Sequence, residues 1–272
     1  MLRNFFPPPL LVLLLTACAP APNSLTPETP YPLSQPPELG HIMHLPSGIL
    51  VDETQMLAVA TDARIVYVGE THDNPASHRQ ELTLLKALQQ RYPGKLALGM
   101  EMFSRSQQQV LDRWSQGELS LKDFLKQSAW YKTWKMDFDY YRDLLEFARD
   151  NRIPVIGLNA EKELVAAVRR NDFPQITEEE RQRLPEMDLD DPYQKALVKA
   201  ILGDHGRVEK HGRIPLDGFH RAQTLWDETM AESVARYLAA PEHQDEHLLV
   251  VAGGNHISYG FGIPRRVFRR LP

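Results

Sequence analysis

Four apolar segments of this chain run into polar, mostly ionisable residues: Ile65-Val-Tyr-Val-Gly-Glu70-Thr-His72, Leu96-Ala-Leu-Gly-Met-Glu101, Val155-Ile-Gly-Leu-Asn159 and Leu248-Leu-Val-Val-Ala-Gly-Gly-Asn255-His256. If the segments are parallel strands, their ends share one sheet edge, where open α/β proteins place their sites. A single acid after a strand carries little weight, and Asn159 before Ala-Glu-Lys reads equally well as a helix N-cap. Convergence carries more. Glu70, His72, His78, Glu101, Asp227 and His256 would bring carboxylates and imidazoles together. Such a set repels or stays undersatisfied unless it shares protons or a cation, so these six are the candidate metal ligands.

The elements that must position them alternate between strand and helix. Asp73-Asn74-Pro75 is a helix start with Pro at the first helical position, and the helix runs to about Arg91 with Leu84, Leu85 and Leu88 inward. Glu81 falls at the centre of that apolar stripe, with His78 one turn earlier on nearly the same side. A buried carboxylate there must be paired or coordinated. Pro93-Gly94 turns the chain into Lys95–Met100. Helical stretches follow around Gln107–Trp114, Leu119–Gln127 and Asp139–Asn151, then a strand at Ile153–Leu158 and a helix at Glu161–Arg170. In the late helix Phe219–Leu238, the residues His220, Gln223 and Asp227 share a face that continues into Met230, Ala231 and Val234. This pattern predicts an α/β fold, a parallel sheet flanked by helices on both faces. From about 172 to 218 no strand is visible, which predicts a small all-helical subdomain inserted before the last βα pair. His41, His44, His243 and His247 fall in loop-like sequence.

The chain has 272 residues, 42% apolar and 25% charged, enough for one large domain with an appendage. A formal charge of -5 with both signs interspersed offers no broad basic surface, which sets nucleic acid aside. The single cysteine, Cys18, follows Leu10-Leu-Val-Leu-Leu-Leu-Thr-Ala17. The Leu15-Thr-Ala-Cys18 spacing resembles a bacterial lipoprotein signal, so residues 1–18 are read as a signal peptide with Cys18 lipidated. The expected location is the cell envelope, anchored to lipid of the outer membrane. Residues 19–47, with seven prolines between Pro20 and Pro37, read as a tether in extended geometry of about 3.1 Å per residue. The α/β domain is expected to occupy 48–272. No Gly-x-Ser-x-Gly elbow and no His-Glu-x-x-His motif is present.

Val68-Gly-Glu-Thr-His-Asp-Asn74 with His78, Gly99-Met-Glu-Met-Phe103, Gly157-Leu-Asn159, Ala222-Gln-x-x-Trp-Asp-Glu-Thr-Met-Ala231 and Gly253-Gly-Asn-His256 with Gly262-Ile-Pro264 resemble the ChaN family over about residues 48 to 270. The resemblance implies a bacterial lipoprotein of haem and iron uptake that binds haem at a homodimer interface. It also extends to the wider superfamily of TIKI metalloproteases and erythromycin-esterase-like hydrolases. There Glu70, His72, Glu101 and His256 would be the catalytic centre, binding a divalent ion or orienting His72 as a base. A metal-dependent hydrolase is therefore the alternative. Haem asks for an exposed Tyr or His ligand, an apolar face and a base near the propionates. Tyr193, Tyr131 and His205 are the candidates, with Tyr140 and Tyr141 also in the aromatic stretch Trp130–Tyr141. Helical spacing of Phe138, Tyr141, Leu145 and Ala148 makes core the stronger reading of that stretch.

Overall fold

The computed structural model describes residues 38–171, 176–204 and 216–271. Cys18, the signal and most of the tether lie outside them, as does His205. Two compact units are present, dividing at Asp52 and Glu53. The described part of the first is an antiparallel hairpin, β1 (Ile42–His44) and β2 (Ile49–Val51), turned at Gly48 with φ +67°. The expected domain start near residue 48 falls inside this hairpin.

The second unit carries α1 (Glu53–Ala60) and then a four-stranded parallel sheet: β3 (Ile65–Glu70), β4 (Leu96–Ser104), β5 (Val155–Asn159) and β6 (His247–Gly253), in the spatial order β3-β6-β4-β5. The last strand therefore inserts between the first two. That insertion brings the ends of β3, β4 and β6 side by side. Alternate residues of β6 face two cores. Leu249 and Val251 pack with Leu85, Leu88, Met100 and Tyr141, whereas Leu248, Val250 and Ala252 pack with Met230, Val234 and Ile263. Burial on both faces is why these strands read as continuous apolar runs. The chain has an α/β fold with a parallel sheet, as its patterning predicts.

One face is covered by α2 (Pro75–Arg91), α3 (Gln108–Ser115), α4 (Leu121–Gln127), α5 (Trp130–Thr133) and α6 (Asp139–Asp150). Trp114, Phe124, Trp130, Phe138 and Tyr141 are fully buried there, so most of the aromatic stretch is core. In α2 the Asn74 side chain accepts from the Ala76 amide at 2.9 Å and Pro75 occupies the first turn, the local reason the helix starts there. The remaining helices are α7 (Lys162–Arg170), α8 (Glu178–Gln182), α9 (Pro192–Asp204), α10 (Leu216–Ala239), α11 (Gly254–Ile257) and α12 (Ile263–Arg270). Residues 176–204 hold α8 and α9 and no strand. Among the described residues no helix is long and apolar enough to cross a membrane.

Three local expectations differ. Asn159 does not cap α7, whose N-cap is Glu161. Its amide instead donates to the Glu101 carbonyl at 2.9 Å, tying β5 to β4 where the register slips between Met100 and Ser104. His44 ends β1, and His247 starts β6 and stacks on Tyr92 at 3.5 Å, so neither is a loop residue. The strand expected from Ile153 begins at Val155.

Candidate functional site

At the end of β3 the Glu70 side chain is fully buried. Its Oε1 accepts from His72 Nδ1 at 2.5 Å and from the Tyr141 hydroxyl, on α6, at 2.7 Å. Its Oε2 lies 3.5 Å from His78 Nδ1 and has no hydrogen-bond partner. Glu81, one turn along α2, places its Oε2 3.2 Å from the same nitrogen and leaves Oε1 unpartnered. The other ring nitrogen of His78 donates to the His72 carbonyl at 3.1 Å. Burial first, and then the neighbouring Glu70, push the Glu81 carboxyl up to about 7, against the pull of His78. Burial works against a charged His78, but Glu81 and Glu70 outweigh it and raise its pKa.

A second row forms where β4 meets β6. Glu101 sits in the register slip of β4, a device that re-aims side chains next to sites. Its Oε2 accepts from the Gly253 amide at 2.6 Å, and its Oε1 lies 3.4 Å from His256 Nε2. His256 Nδ1 is 2.5 Å from Asp227 Oδ1, and the Gln223 side-chain amide lies 3.0 Å from the same nitrogen. Gln194, on α9, donates to Asp227 Oδ2 at 2.6 Å and accepts from the Thr224 hydroxyl and Arg266, both at 2.8 Å. Thus Gln223 and Asp227 reach the strand ends as their helical spacing predicts. His220, on the same face, is absent from these contacts. Burial pushes the Glu101 carboxyl up, yet His256 and the Gly253 amide hold it below the ordinary carboxylate value. Burial also opposes charge on His256, but Glu101 and Asp227 hold the imidazolium up to about 10.

His72 stands between the two rows. A methyl group on Gly253 would lie 3.0 Å from its Cε1, so glycine there lets the ring settle against β6 without being pushed back. Trp134 meets it edge-to-face at 4.9 Å. With its side chain 38% exposed, His72 is the solvent-facing imidazole of the centre. The hydrogen bond to Glu70 raises its pKa above the ordinary value, against its burial. A protonated His72 offers its Nε2–H to an incoming oxygen; once deprotonated, it is a base oriented by Glu70. The six candidate ligands thus divide into Glu70 with His78 and Glu101 with Asp227 and His256, with His72 linking them. Glu81, placed in the sequence as a buried carboxylate, completes the first group. Tyr141, Gln194 and Arg266 belong to the same network, and no sequence motif marks them.

The haem candidates lie elsewhere. Tyr131 and Tyr193 are 59% and 51% exposed. Tyr140 stacks on His78 at 5.2 Å, and Tyr141 is buried against Glu70, which removes it from the exposed phenols. Tyr193 follows Pro192 at the start of α9, where Asp191 Oδ1 accepts from its amide at 2.9 Å. Phe261 lies 5.2 Å from its ring, Tyr259 stacks on Phe261 at 5.8 Å, and the Arg265 guanidinium lies 4.7 Å over the Tyr193 ring. Tyr259 is 82% exposed and held at φ +56°, a conformation bulky residues rarely adopt. The signal for this platform was Ser258-Tyr-Gly-Phe-Gly262, two aromatics spaced by glycines.

The imidazolium has a measurable consequence. Folded His256 keeps its proton up to about 10, whereas an unfolded histidine releases it near 6.5. Its stabilisation is complete below 6.5 and is lost as pH rises through 10. The Tm of the full chain should therefore fall across that window, and His256→Gln should flatten the fall. A Tm that climbs from pH 6.5 to 10 would contradict the assignment.

This arrangement sits on a fold with known counterparts. The structure of ChaN of Campylobacter jejuni, described with cofacial haem binding, superposes with a TM-score of 0.67 over 84% of this chain and 85% of that one. At 16% identity, that likeness speaks for the fold. RETICULATA-RELATED 5, a chloroplastic protein of Arabidopsis thaliana, is 24% identical over 250 residues, covering 84% of this chain. The chain spans only 32% of that relative's length. The family model described as haem-binding uptake, Tiki superfamily, ChaN matches residues 56–267, and the chain belongs to that family.

Proposed function

We propose that this chain is a lipid-tethered haem-binding protein serving haem and iron uptake, with Tyr193 as the axial ligand at a contact between two copies. One observation carries the reading beyond family membership: an exposed phenol, two exposed or half-exposed aromatic rings and a guanidinium occupy one surface. Those match what haem asks for, an exposed Tyr or His ligand, a flat apolar face and a cation for propionates. Cofacial haem binding in the Campylobacter protein supports the pairing of two copies. The lipobox at Cys18 and the proline-rich segment support an outer-membrane tether. Sedimentation of the full chain with ferric haem, followed at the Soret wavelength, should show haem moving with a species of twice the chain mass. Haem moving only with a single chain would refute the paired arrangement.

A second reading, a hydrolase, is favoured by His72, whose Nδ1 is held by Glu70 while its ring faces solvent. Turnover of a peptide or ester library that disappears in His72→Gln would support it. A wild-type chain inert towards that library, with and without added divalent metal, would end it.

A further inference from the structure

His78 and Glu81 are used by neither reading of the solvent-facing centre, and together with the second oxygen of Glu70 they form a separate group. It lies behind His72, inside the protein. Its three donors, one imidazole nitrogen and two carboxylate oxygens, fall within 4.8 Å of one another. His78 Nδ1 lies 3.2 Å from Glu81 Oε2 and 3.5 Å from Glu70 Oε2. Ligand bonds of about 2.0–2.2 Å in tetrahedral array put neighbouring donors ~3.4 Å apart. The two distances from His78 match that edge, and the two carboxylates lie within 4.8 Å of each other.

The tautomer points the same way. His78 gives its Nε2–H to the His72 carbonyl, so it is Nδ1 that faces the two carboxylates, and the proton it shares there with Glu81 is the one an ion would displace. A metal-bound histidine characteristically makes this second hydrogen bond to a backbone carbonyl or carboxylate. The Tyr141 hydroxyl likewise orients Glu70 through its other oxygen. Glu70 Oε2 and Glu81 Oε1, on side chains fully removed from solvent, have no hydrogen-bond partner. Buried carboxylate oxygens without donors are costly and call for a cation or a proton. A pocket of about 180 Å³ opens beside His78, and Asp139 and Asp143 line it.

We infer that Glu70, His78 and Glu81 form a buried site for a divalent transition ion of the zinc class, separate from the haem surface. One imidazole and two carboxylate donors suit zinc or cobalt better than calcium, which needs six to eight oxygens. Occupied, the site would lock α2 onto the end of β3 and, through the Glu70–His72 bond, hold the His72 ring in place.

Cobalt(II) added to the chelator-treated full chain, without haem, provides the test. The expected result is one equivalent bound, with the intense visible bands of a tetrahedral ion, displaced by zinc. Glu81→Gln, which preserves shape, and His78→Ala should each weaken binding at least ~100-fold, beyond the effect typical of outer-sphere changes. Circular dichroism identifies a variant that fails to fold, in which case Glu81→Gln decides alone. Binding with no tetrahedral spectrum, an ion retained equally in Glu81→Gln, or an ion lost in His256→Gln but kept in Glu81→Gln would each overturn the assignment. Protection of the pair by a proton alone would appear as no cobalt bound, which overturns the assignment equally.

Discussion

Glu228→Gln should lower the stability of the full chain by about 3–5 kcal/mol, the usual cost of breaking a buried ion pair from one side. The Glu228 side chain is fully buried. Arg266 Nε lies 3.1 Å from its Oε1; Arg269 and Arg270 donate to its Oε2 at 2.9 and 2.7 Å. The Asp188 amide also donates to Oε1, at 3.2 Å. Glutamine keeps the shape and removes the charge, leaving Asp191, 3.9 Å away, as the carboxylate facing the buried Arg266. For a domain of this size the loss amounts to a fall in Tm on the order of 10 °C. The damage should reach the site, because Arg266 also holds Gln194, and Gln194 holds Asp227. Thermal or urea unfolding within 1 kcal/mol of wild type would show that the carboxylate charge is not needed.

Tyr193→Phe should weaken haem binding by roughly 100-fold, ~2.7 kcal/mol. The substitution keeps the ring that packs on Phe261 and under Arg265, and removes only the oxygen that would ligate iron. A purely apolar role for Tyr193 predicts almost no change in affinity. The spectrum separates the two further, since phenolate ligation gives a charge-transfer band that vanishes with the hydroxyl. Tyr131→Phe, on a different element, should leave both affinity and spectrum within about threefold of wild type. Tyr193→Phe with unaltered spectrum would move the ligand elsewhere.

What was legible in the sequence follows physical range. Strand ends, the α2 stripe with Glu81 inside it, and the Gln223–Asp227 spacing are local patterns of period 2 or 3.6, and they predict which side chains face the sheet edge. The aromatic stretch 130–141 was legible as core for the same reason. Partners across long separations were not. Tyr141 meets Glu70 from 71 residues away, and Arg266 meets Gln194 from 72. Nothing in either residue's neighbourhood announces such a contact. The spatial order of the strands was equally hidden, and it is that order which sets Glu101 beside Gly253 and His256. Asn159 stayed open between strand end and cap because an Asn before a helix has two uses. Capping is local; tying β5 to the Glu101 carbonyl depends on a neighbouring strand.

The full chain, titrated with ferric haem and followed by absorbance, tests the central claim most directly. The account predicts a saturable Soret change ending at one haem per chain, with a phenolate-to-iron band. A response that stays linear and indistinguishable from haem in buffer would contradict it.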